Sequence, residues 1–473
     1  MFFCYTLPFV KSLKIMFRLF LSLNLTLALG NVTAAENPAT QSWFVSAMQG
    51  KAAPMDKIDI IVADIGKTRE QVVVSYKKAA HESGWDKKFI LPTPVPKVPG
   101  EPLKIRADSY HIGEKLDMPY VVLQKGEKPA NGWPLIIAMH GGGGTADKLP
   151  NPHGWPVNTQ EWNSQIKLSL ALYPANAIYF VPRMVNDNQG RWWKEYNCQA
   201  YSAMIRHAIL YWDIDPNRVY MLGISEGGYG TETLACRYPD QLAAADGMAC
   251  GEGTSIHVEN LRNLPFRTDV GEKDTMFGRV TNAIKKHELL NSLQKSDPEG
   301  YVNHLELHKG NGHGIDYKPG PEWLMQFTRN PHPKRVTCTL FQHDGVKNKG
   351  AYWLRTTNDL VNKLIHLDGR INPADNSISI TADATKNDEK VQAADWQQPL
   401  SDQGETVPAT GLKLRVWLHE SLLDLTKPVK ISINGKLVET HIPKPELGIL
   451  SGSLLLFGDP EFSYPCKVDV TVP

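Results

Sequence analysis

The sequence predicts an α/β fold built on a mainly parallel sheet, followed by a small all-β sandwich domain. Patterns typical of strands alternate with patterns typical of helices between residues 103 and 330, and this alternation favours a parallel sheet covered on both faces. Helical periodicity fades after about Asn330, where short β-rich runs take over. The chain has 473 residues, which exceeds the length at which one hydrophobic core stops growing, so two domains are expected.

Residues 1–35 carry the pattern of a secretory signal peptide. A basic segment that ends at Arg18 precedes the apolar run Leu19–Leu29, and the small residues of Val32–Ala35 provide a cleavage site. The apolar run is too short to cross a bilayer comfortably. We therefore expect a secreted or periplasmic protein whose mature chain begins near Ala35 or Glu36 and has no stable membrane insertion.

Residues 36–102 predict an N-terminal helical segment and a proline-rich strap. Apolar residues recur at helical spacing between Thr68 and Glu82, which indicates a short amphipathic helix. Leu91–Pro102 then contains five prolines in twelve residues. Because proline removes a backbone donor and restricts φ, we expect this stretch to lack regular secondary structure.

Residues 103–330 contain the strands and helices of the predicted parallel sheet. Seven runs have strand length and composition: Tyr120–Leu123, Leu135–His140, Ala177–Val181, Val219–Ile224, Ala243–Met248, Pro265–Val270 and His304–His308. Helical patterns separate most of them, notably Tyr201–Tyr211, Glu232–Arg237 and Thr281–Lys295. In such a sheet a ligand site lies beyond the carboxyl ends of the strands.

The stretch Val219–Gly230 predicts a sharp turn from strand to helix. It reads Val-Tyr-Met-Leu-Gly-Ile-Ser-Glu-Gly-Gly-Tyr-Gly, so that Gly223, Ser225 and Gly227 form a Gly-x-Ser-x-Gly pattern. Glycines on both sides let the backbone turn sharply and let strand and helix pack closely. The turn would hold the hydroxyl of Ser225 outward, which makes this serine the candidate nucleophile.

A glycine loop, Gly141–Gly144, follows the strand-like run that ends at His140. Backbone amides without side chains around them can point toward a developing oxyanion. We predict that Gly142 and Gly143 supply such donors, together with the amide of Glu226, the residue after the candidate nucleophile.

Two further candidates follow the ends of predicted strands. Asp274 comes shortly after the run that ends near Val270, and His313 lies between two glycines past His304–His308. We expect His313 to act as a general base toward Ser225 and then as a general acid toward the leaving group. Asp269 is the rival acidic residue, but it lies within its strand, where it is placed less well than Asp274.

Aromatic residues follow the predicted strand that ends near Val181. Trp192, Trp193 and Tyr196 should overhang the site, and adjacent tryptophans are costly to expose to water. We predict that they bind substrate, while packing against the second domain remains the alternative.

Residues 331–473 predict the β-sandwich accessory domain. Seven β-rich runs occur here: Arg335–Gln342, Ala351–Thr356, Ser377–Thr381, Leu412–Leu418, Val429–Val438, Ser453–Phe457 and Lys467–Val472. Asn434-Gly435 suits the type I′ turn of a hairpin. Cys338 and Cys466 lie in the first and last runs, and their pairing stays open.

These features resemble the α/β-hydrolase family over about residues 100 to 330. The turn at Ser225 and the His-Gly-Gly-Gly stretch after Met139 are the most specific parts. Within the family, Trp212–Tyr220 is similar to secreted esterases of the polyhydroxybutyrate-depolymerase and feruloyl-esterase kind. The resemblance implies a catalytic triad in the order Ser225, Asp274, His313. It also implies hydrolysis of small-molecule, polysaccharide-linked or polymeric esters through an acyl-enzyme. No Cys-x-x-Cys spacing in the sequence suggests a metal site, and we expect no cofactor and no metal.

Two other functions fit the same motifs less well. Serine peptidases of the prolyl-oligopeptidase kind share the catalytic order, but about a hundred residues before the core are too few for their β-propeller. A binding protein without catalysis on a hydrolase fold is the other alternative, and a complete triad argues against it. The formal charge of +1, from 51 basic and 50 acidic residues, gives no basic surface for nucleic acid.

Overall fold

The computed structural model describes residues 37–96, 103–112, 116–251, 257–343, 346–360, 363–386 and 405–473. The predicted signal peptide lies outside these ranges, so secretion stays a prediction. Residues 36–473 form one compact unit. Within the described ranges, no helix combines the length and apolar character needed to cross a membrane.

Two helices open the described chain, α1 (Pro38–Met48) and α2 (Ile65–Ser83). The predicted amphipathic helix is confirmed as α2, whereas α1 was not predicted. Asn37 caps α1, because its side chain accepts a hydrogen bond from the Thr40 amide at 3.1 Å. Gly84 ends α2 in the left-handed region at φ 66°.

A nine-stranded sheet forms the centre of the molecule. Its strands are β1 (Thr93–Pro94), β2 (Ala107–His111), β3 (Asp117–Lys125), β4 (Trp133–Met139), β5 (Ala177–Pro182), β6 (Ile214–Ile224), β7 (Ala244–Met248), β8 (Phe266–Gly271) and β9 (Asn303–His308). The order is β1-β3-β5-β4-β6-β7-β8-β9, with β2 paired to β3. Strands β4 to β9 run parallel, and β3 is antiparallel to β5. All seven predicted strands and the mainly parallel sheet are confirmed.

The short strand β1 corrects one expectation about the proline-rich strap. Thr93 and Pro94 pair in parallel with Leu123 and Gln124 at the edge of the sheet. Proline is tolerated there because an edge strand leaves one side without hydrogen-bond partners. The strap therefore contributes a short edge strand instead of lacking regular structure, while residues 97–102 lie outside the described ranges.

Helices cover both faces of this sheet. They are α3 (Pro156–Lys167), α4 (Glu195–Tyr211), α5 (Glu226–Arg237), α6 (Arg279–Ser296) and α7 (Pro319–Leu324). Alternate residues of β4 belong to different cores: Leu135 and Ile137 pack on the side of α4, α5 and α6, whereas Ile136 packs on the side of α3 and α7. β4 is buried along its whole length, and strands covered on both faces are typically continuous hydrophobic runs, as β4 is.

The C-terminal region contains the remaining strands and one helix. The strands are β10 (Arg335–Leu340), β11 (Gln342–His343), β12 (Val346–Lys347), β13 (Gly350–Ala351), β14 (Leu354–Thr356), β15 (Ile365–Asn372), β16 (Ser377–Thr385), β17 (Thr406–Pro408), β18 (Lys413–Leu418), β19 (Val429–Ile433), β20 (Lys436–His441) and β21 (Cys466–Thr471), and the helix is α8 (Leu447–Phe457). A six-stranded sheet, β10-β15-β16-β19-β20 with β17, and a four-stranded sheet, β13-β14-β18-β21, contribute to one hydrophobic core. The later all-β region therefore has the predicted two-sheet character.

The turn between β19 and β20 confirms the predicted hairpin, and α8 corrects a predicted strand. Asn434 and Gly435 both have positive φ, 48° and 78°, as a type I′ turn requires. Ser453–Phe457, predicted as a strand, lies in α8. A short apolar run is compatible with either a buried strand or a buried helix, so composition alone could not distinguish them. Strand β15, which was not predicted, pairs with both β10 and β16.

The N-terminal helices pack on the C-terminal core instead of forming a separate layer. Phe44 of α1 and Tyr76 of α2 belong to the same hydrophobic cluster as the strands of both C-terminal sheets. Arg69 of α2 also donates to Glu420 Oε2 at 2.8 Å. The five described cysteines, Cys198, Cys236, Cys250, Cys338 and Cys466, are buried free thiols.

Candidate active site

Ser225 lies at the turn between β6 and α5 in a strained conformation. Its φ of 55° and ψ of −114° are unusual for a residue with a side chain. Two hydrogen bonds hold the turn: the Ser225 amide donates to Met248 O at 2.8 Å, and the Tyr229 amide donates to Ser225 O at 3.0 Å. A Cβ on Gly223 would lie 2.1 Å from the carbonyl oxygen of Gly227. The glycines are therefore needed because strand and helix backbones touch.

The structure brings Ser225, His313 and Asp274 into one chain of hydrogen bonds. His313 Nε2 lies 3.0 Å from Ser225 Oγ, and His313 Nδ1 lies 2.7 Å from Asp274 Oδ2. Asp274 is buried, whereas the side chain of His313 is 47% exposed. Since the loops after β6, β8 and β9 meet at the same edge of the sheet, residues distant in sequence converge there.

Arg279 fixes the orientation of the Asp274 carboxylate. Its Nη1 donates to Asp274 Oδ1 at 3.0 Å, and its Nε donates to the hydroxyl of Tyr229 at 3.0 Å. Both carboxylate oxygens thus have separate partners, one on Arg279 and one on His313. Sequence reasoning missed Arg279, because a basic residue at a helix start carries no pattern that indicates this contact.

The rival residue, Asp269, belongs to a separate buried cluster. It accepts from Arg267 Nη2 at 2.8 Å and lies 2.8 Å from His308 Nε2. Burial opposes its ionisation, but hydrogen bonds from Arg267 and His308 lower the pKa of Asp269. Burial raises the pKa of the neighbouring Asp246 well above its ordinary range, and the Asp269 charge raises it further. Asp246 is therefore the protonated member of this carboxyl pair.

His140 anchors the glycine loop as a neutral side chain. Burial lowers its pKa to about 3. Its Nε2 accepts a hydrogen bond from the Met184 amide at 2.9 Å, so the ring proton must lie on Nδ1, which donates to Gly141 O at 2.5 Å. A histidine held in this way supports the loop and does not exchange protons with substrate.

The glycine loop offers different donors from those predicted. The Gly143 amide already donates to Asn158 Oδ1 at 3.0 Å, while Asn158 Nδ2 donates to Gly143 O at 2.8 Å. The prediction that Gly143 supplies an oxyanion donor is therefore wrong for this conformation, because its proton is occupied by a buried amide side chain. The Gly142 and Glu226 amides have no acceptor within the described part of the chain.

The three predicted aromatic contacts have different surroundings. Trp192 is fully buried, and its Nε1 donates to His140 O at 3.1 Å beneath the glycine loop. The prediction that Trp192 binds substrate is wrong, because its ring packs against His140 with centroids 4.8 Å apart. Trp193 does line the cleft beside Ser225. Tyr196 is absent from the cleft lining, but its hydroxyl donates to Gln189, which is part of it.

A cleft of about 240 Å³ opens beside Ser225. Its walls come from the glycine loop, the loop before α4, the start of α5 and the turn before α6: Gly142, Gly143, Gly144, Gln189, Arg191, Trp193, Ser225, Glu226, Tyr229, Phe277 and Arg279. Phe277 is 52% exposed and has a positive φ of 56°. Apart from the glycines, most of these residues carry no local signal of function, since tertiary folding alone brings them together.

Charged groups in the cleft are arranged in pairs. Arg191 Nη1 donates to Glu226 Oε2 at 2.6 Å, and the Arg191 guanidinium lies 5.5 Å from the centre of the Trp193 ring. Burial raises the pKa of Glu226, and the Arg191 charge opposes this shift.

Within the described ranges, no three His, Cys, Asp or Glu side chains are grouped in a way that could hold a metal ion.

Comparison with known proteins gives limited similarity. No family model matches the sequence. Over 127 residues the chain is 30% identical to poly(3-hydroxyalkanoate) depolymerase C of Paucimonas lemoignei. This aligned region covers 26% of this chain and 29% of that protein. The chain thus spans less than a third of the length of this curated relative.

Several solved structures are similar over about half of the chain. A thermostable esterase has a TM-score of 0.34 at 20% identity, with 48% of this chain and 63% of that chain covered. A ferulic acid esterase has 0.32 at 14% identity, covering 47% and 95%. Dipeptidyl peptidase 4 of Porphyromonas gingivalis has 0.33 at 12% identity, covering 47% and 35%.

Proposed function

We propose that this chain, which has the α/β-hydrolase fold, is a serine hydrolase that cleaves carboxylic esters. One observation carries the proposal: Ser225 Oγ, His313 and the buried Asp274 form a continuous chain of hydrogen bonds at a strained turn. A nucleophile, a base within hydrogen-bond reach and a group that orients the base are the parts that acyl transfer needs.

The geometry supports a two-step reaction. Ser225 Oγ attacks the ester carbonyl while His313 Nε2 takes the hydroxyl proton, and His313 then returns this proton to the departing alkoxide. Water attacks the resulting acyl-serine, with His313 again as base, and releases the acid. Asp274 holds the Nδ1 proton of His313 throughout. We assign stabilisation of the tetrahedral oxyanion to the Gly142 and Glu226 amides, and their lack of an acceptor among the described residues supports this assignment.

The contents of the cleft favour esters over aminoacyl amides. Trp193 and Phe277 offer aromatic surfaces that suit apolar or sugar-ring groups. The lining carboxylate of Glu226 is already paired with Arg191, so the free ammonium of an aminoacyl substrate would meet no carboxylate there that lacks a counter-ion. The depolymerase similarity over 127 residues agrees with a polymeric ester as one substrate class.

We further propose that the mature protein acts outside the cytoplasm, on small-molecule or polysaccharide-linked esters. This rests on the signal-peptide pattern of residues 1–35 and on the aromatic cleft. Sequencing the N-terminus of the protein recovered from the producing cells tests the location, because cleavage should leave a chain that begins near Ala35. A protein recovered with its N-terminal segment intact would contradict it.

The central experiment compares the wild type with Ser225→Ala. The variant should lose hydrolysis of p-nitrophenyl butyrate and labelling by a fluorophosphonate, while its melting temperature stays within a few degrees. Aminoacyl p-nitroanilides serve as the amide control. Labelling of a different serine, or ester hydrolysis by the variant at the wild-type rate, would refute the proposal. If the wild type hydrolyses the amides as fast as the esters, the protein is a peptidase instead.

A further inference from the structure

Glu226 has a side chain whose contacts the triad mechanism does not use. Sequence reasoning assigned only its backbone amide. The residue is the first of α5 and is 5% exposed. Its carboxylate lines the cleft next to the glycine loop, where a Cβ on Gly143 would lie 3.4 Å from Glu226 Cδ.

The two oxygens of this carboxylate differ in their partners. Oε2 accepts from Arg191 Nη1 at 2.6 Å. Oε1 is buried and has no hydrogen-bond partner among the described residues. A buried acceptor without a donor is unfavourable, and more so when it carries charge. Glu226 lines the cleft directly after the nucleophile in sequence, so the cleft wall beside Ser225 contains one acceptor whose hydrogen bond is not made by the described residues.

Charge decides which kind of donor fits. The Glu226 carboxylate is already neutralised by Arg191, and Arg279 lies in the same lining with its own partner, Asp274. An ammonium group would add a third positive charge to this partly buried site, where the Glu226 and Asp274 carboxylates already balance the two guanidinium groups. A hydroxyl donates the required hydrogen bond without adding charge.

We infer that Glu226 is a specificity-determining residue whose Oε1 accepts a hydrogen bond from a hydroxyl group of the ester substrate. The substrate class is esters that carry a free hydroxyl near the scissile bond, either on the acyl group or on the alcohol. This inference rests on the proposed serine hydrolase function and narrows its substrate.

The test uses pairs of esters that differ by one feature. For the acyl side, p-nitrophenyl 3-hydroxybutyrate is compared with p-nitrophenyl butyrate. For the alcohol side, 2-hydroxypropyl butyrate is compared with propyl butyrate. The wild type should prefer the hydroxylated member of at least one pair by about 10- to 100-fold in kcat/KM, the range expected for a hydrogen bond to a charged group. A p-nitrophenyl 3-aminobutyrate arm should show no such preference.

Two variants separate recognition from a structural role. Glu226→Leu removes the acceptor and should bring the preference near one. In Glu226→Gln, Arg191 keeps the amide oxygen as its acceptor, so the amide nitrogen faces the substrate. A hydroxyl can accept this bond and an ammonium cannot, so the Gln variant should keep part of the hydroxyl preference. Fluorophosphonate titration and the melting temperature check that each variant is folded and reactive.

The possible outcomes distinguish the two proposals. Equal kcat/KM for both members of both pairs in the wild type overturns the inference while leaving ester hydrolysis intact. A preference that persists in Glu226→Leu, or a preference for the amino ester, also overturns it. If Glu226→Leu slows both members of a pair equally, the side chain only supports the fold. Failure of the wild type to hydrolyse any of these esters contradicts the serine hydrolase proposal itself.

Discussion

The replacement Asp274→Asn tests the geometry of the candidate triad most directly. Arg279 Nη1 donates to Asp274 Oδ1, and His313 Nδ1 faces Oδ2. In the variant, the amide oxygen must stay with Arg279, because two donors cannot face each other. The amide nitrogen then takes the place of Oδ2 and donates to His313 Nδ1. The ring proton moves to Nε2, where His313 can no longer accept the proton of Ser225.

The expected loss follows from this change of tautomer. A histidine held in the wrong tautomer lowers kcat by roughly a thousand- to ten-thousandfold, which is about 4 to 5.5 kcal/mol of transition-state stabilisation. The assay is kcat for p-nitrophenyl butyrate, normalised to folded protein by circular dichroism. Asp269→Asn is the matched control, since Asp269 contacts Arg267 and His308 but not the triad. It should cost less than about tenfold per folded molecule.

A second variant checks the cause of the loss. Adding Arg279→Met to Asp274→Asn removes the donor that orients the amide, so the side chain can rotate and offer its oxygen to His313. The kcat of the double variant should therefore be higher than the value expected if the two single losses simply multiplied. An Asp269→Asn loss equal to that of Asp274→Asn, or a loss within tenfold for Asp274→Asn, would show that this reasoning about the acid is wrong.

Three further predictions concern the support of the site and the fold. Asn158→Ala removes three buried hydrogen bonds. It should lower the free energy of unfolding by about 2 to 4 kcal/mol and kcat by about tenfold or more. An unchanged kcat in an esterase assay would show that the glycine loop does not need this anchor. The pKa of Asp246 is raised in the folded state, so the unfolded chain releases this proton at lower pH, and the stability of the wild type falls as pH rises above about 4. The melting temperature of Asp246→Asn minus that of the wild type should therefore be larger at pH 7.5 than at pH 4.5. A difference that does not change with pH contradicts the assignment. A Cβ on Gly227 would lie 2.3 Å from Met139 O, so Gly227→Ala should lower the free energy of unfolding by about 1 to 3 kcal/mol or prevent folding. Gly452→Ala is the control, because Gly452 has open space around it and its replacement should not lower the free energy of unfolding. Chemical denaturation of both variants measures the difference.

Local sequence patterns determined the central sheet and the order of the candidate triad. All seven predicted strands of residues 103–330 are present. The clearest signal comes from strands such as β4, which is buried on both faces and apolar at every position. The turn at Ser225 was also predictable, since only glycine fits where the backbones of β6 and α5 touch. Asp274 and His313 follow strand ends, and parallel strands bring such loops to one edge.

The tertiary structure decided how individual groups in the site are used. The Gly143 amide is occupied by Asn158, fifteen residues away in sequence, and Trp192 lies beneath the glycine loop instead of in the cleft. Neither contact leaves a local pattern, because each depends on which helix or loop packs against the sheet at that point. The same holds for the free oxygen of Glu226 and for the contact of Arg279 with Asp274.

Packing across the chain also determined what the sequence left ambiguous in the outer regions. Residues 447–457 are apolar enough for a strand or a helix, and burial against Tyr464 and the sheet that contains β18 and β21 accompanies the helix α8. Phe44 and Tyr76 join that core from the other end of the chain. Secondary structure that follows from the spacing of apolar residues can be predicted from the sequence. The partner of each apolar face and of each hydrogen-bonding group is determined only when the whole chain is packed.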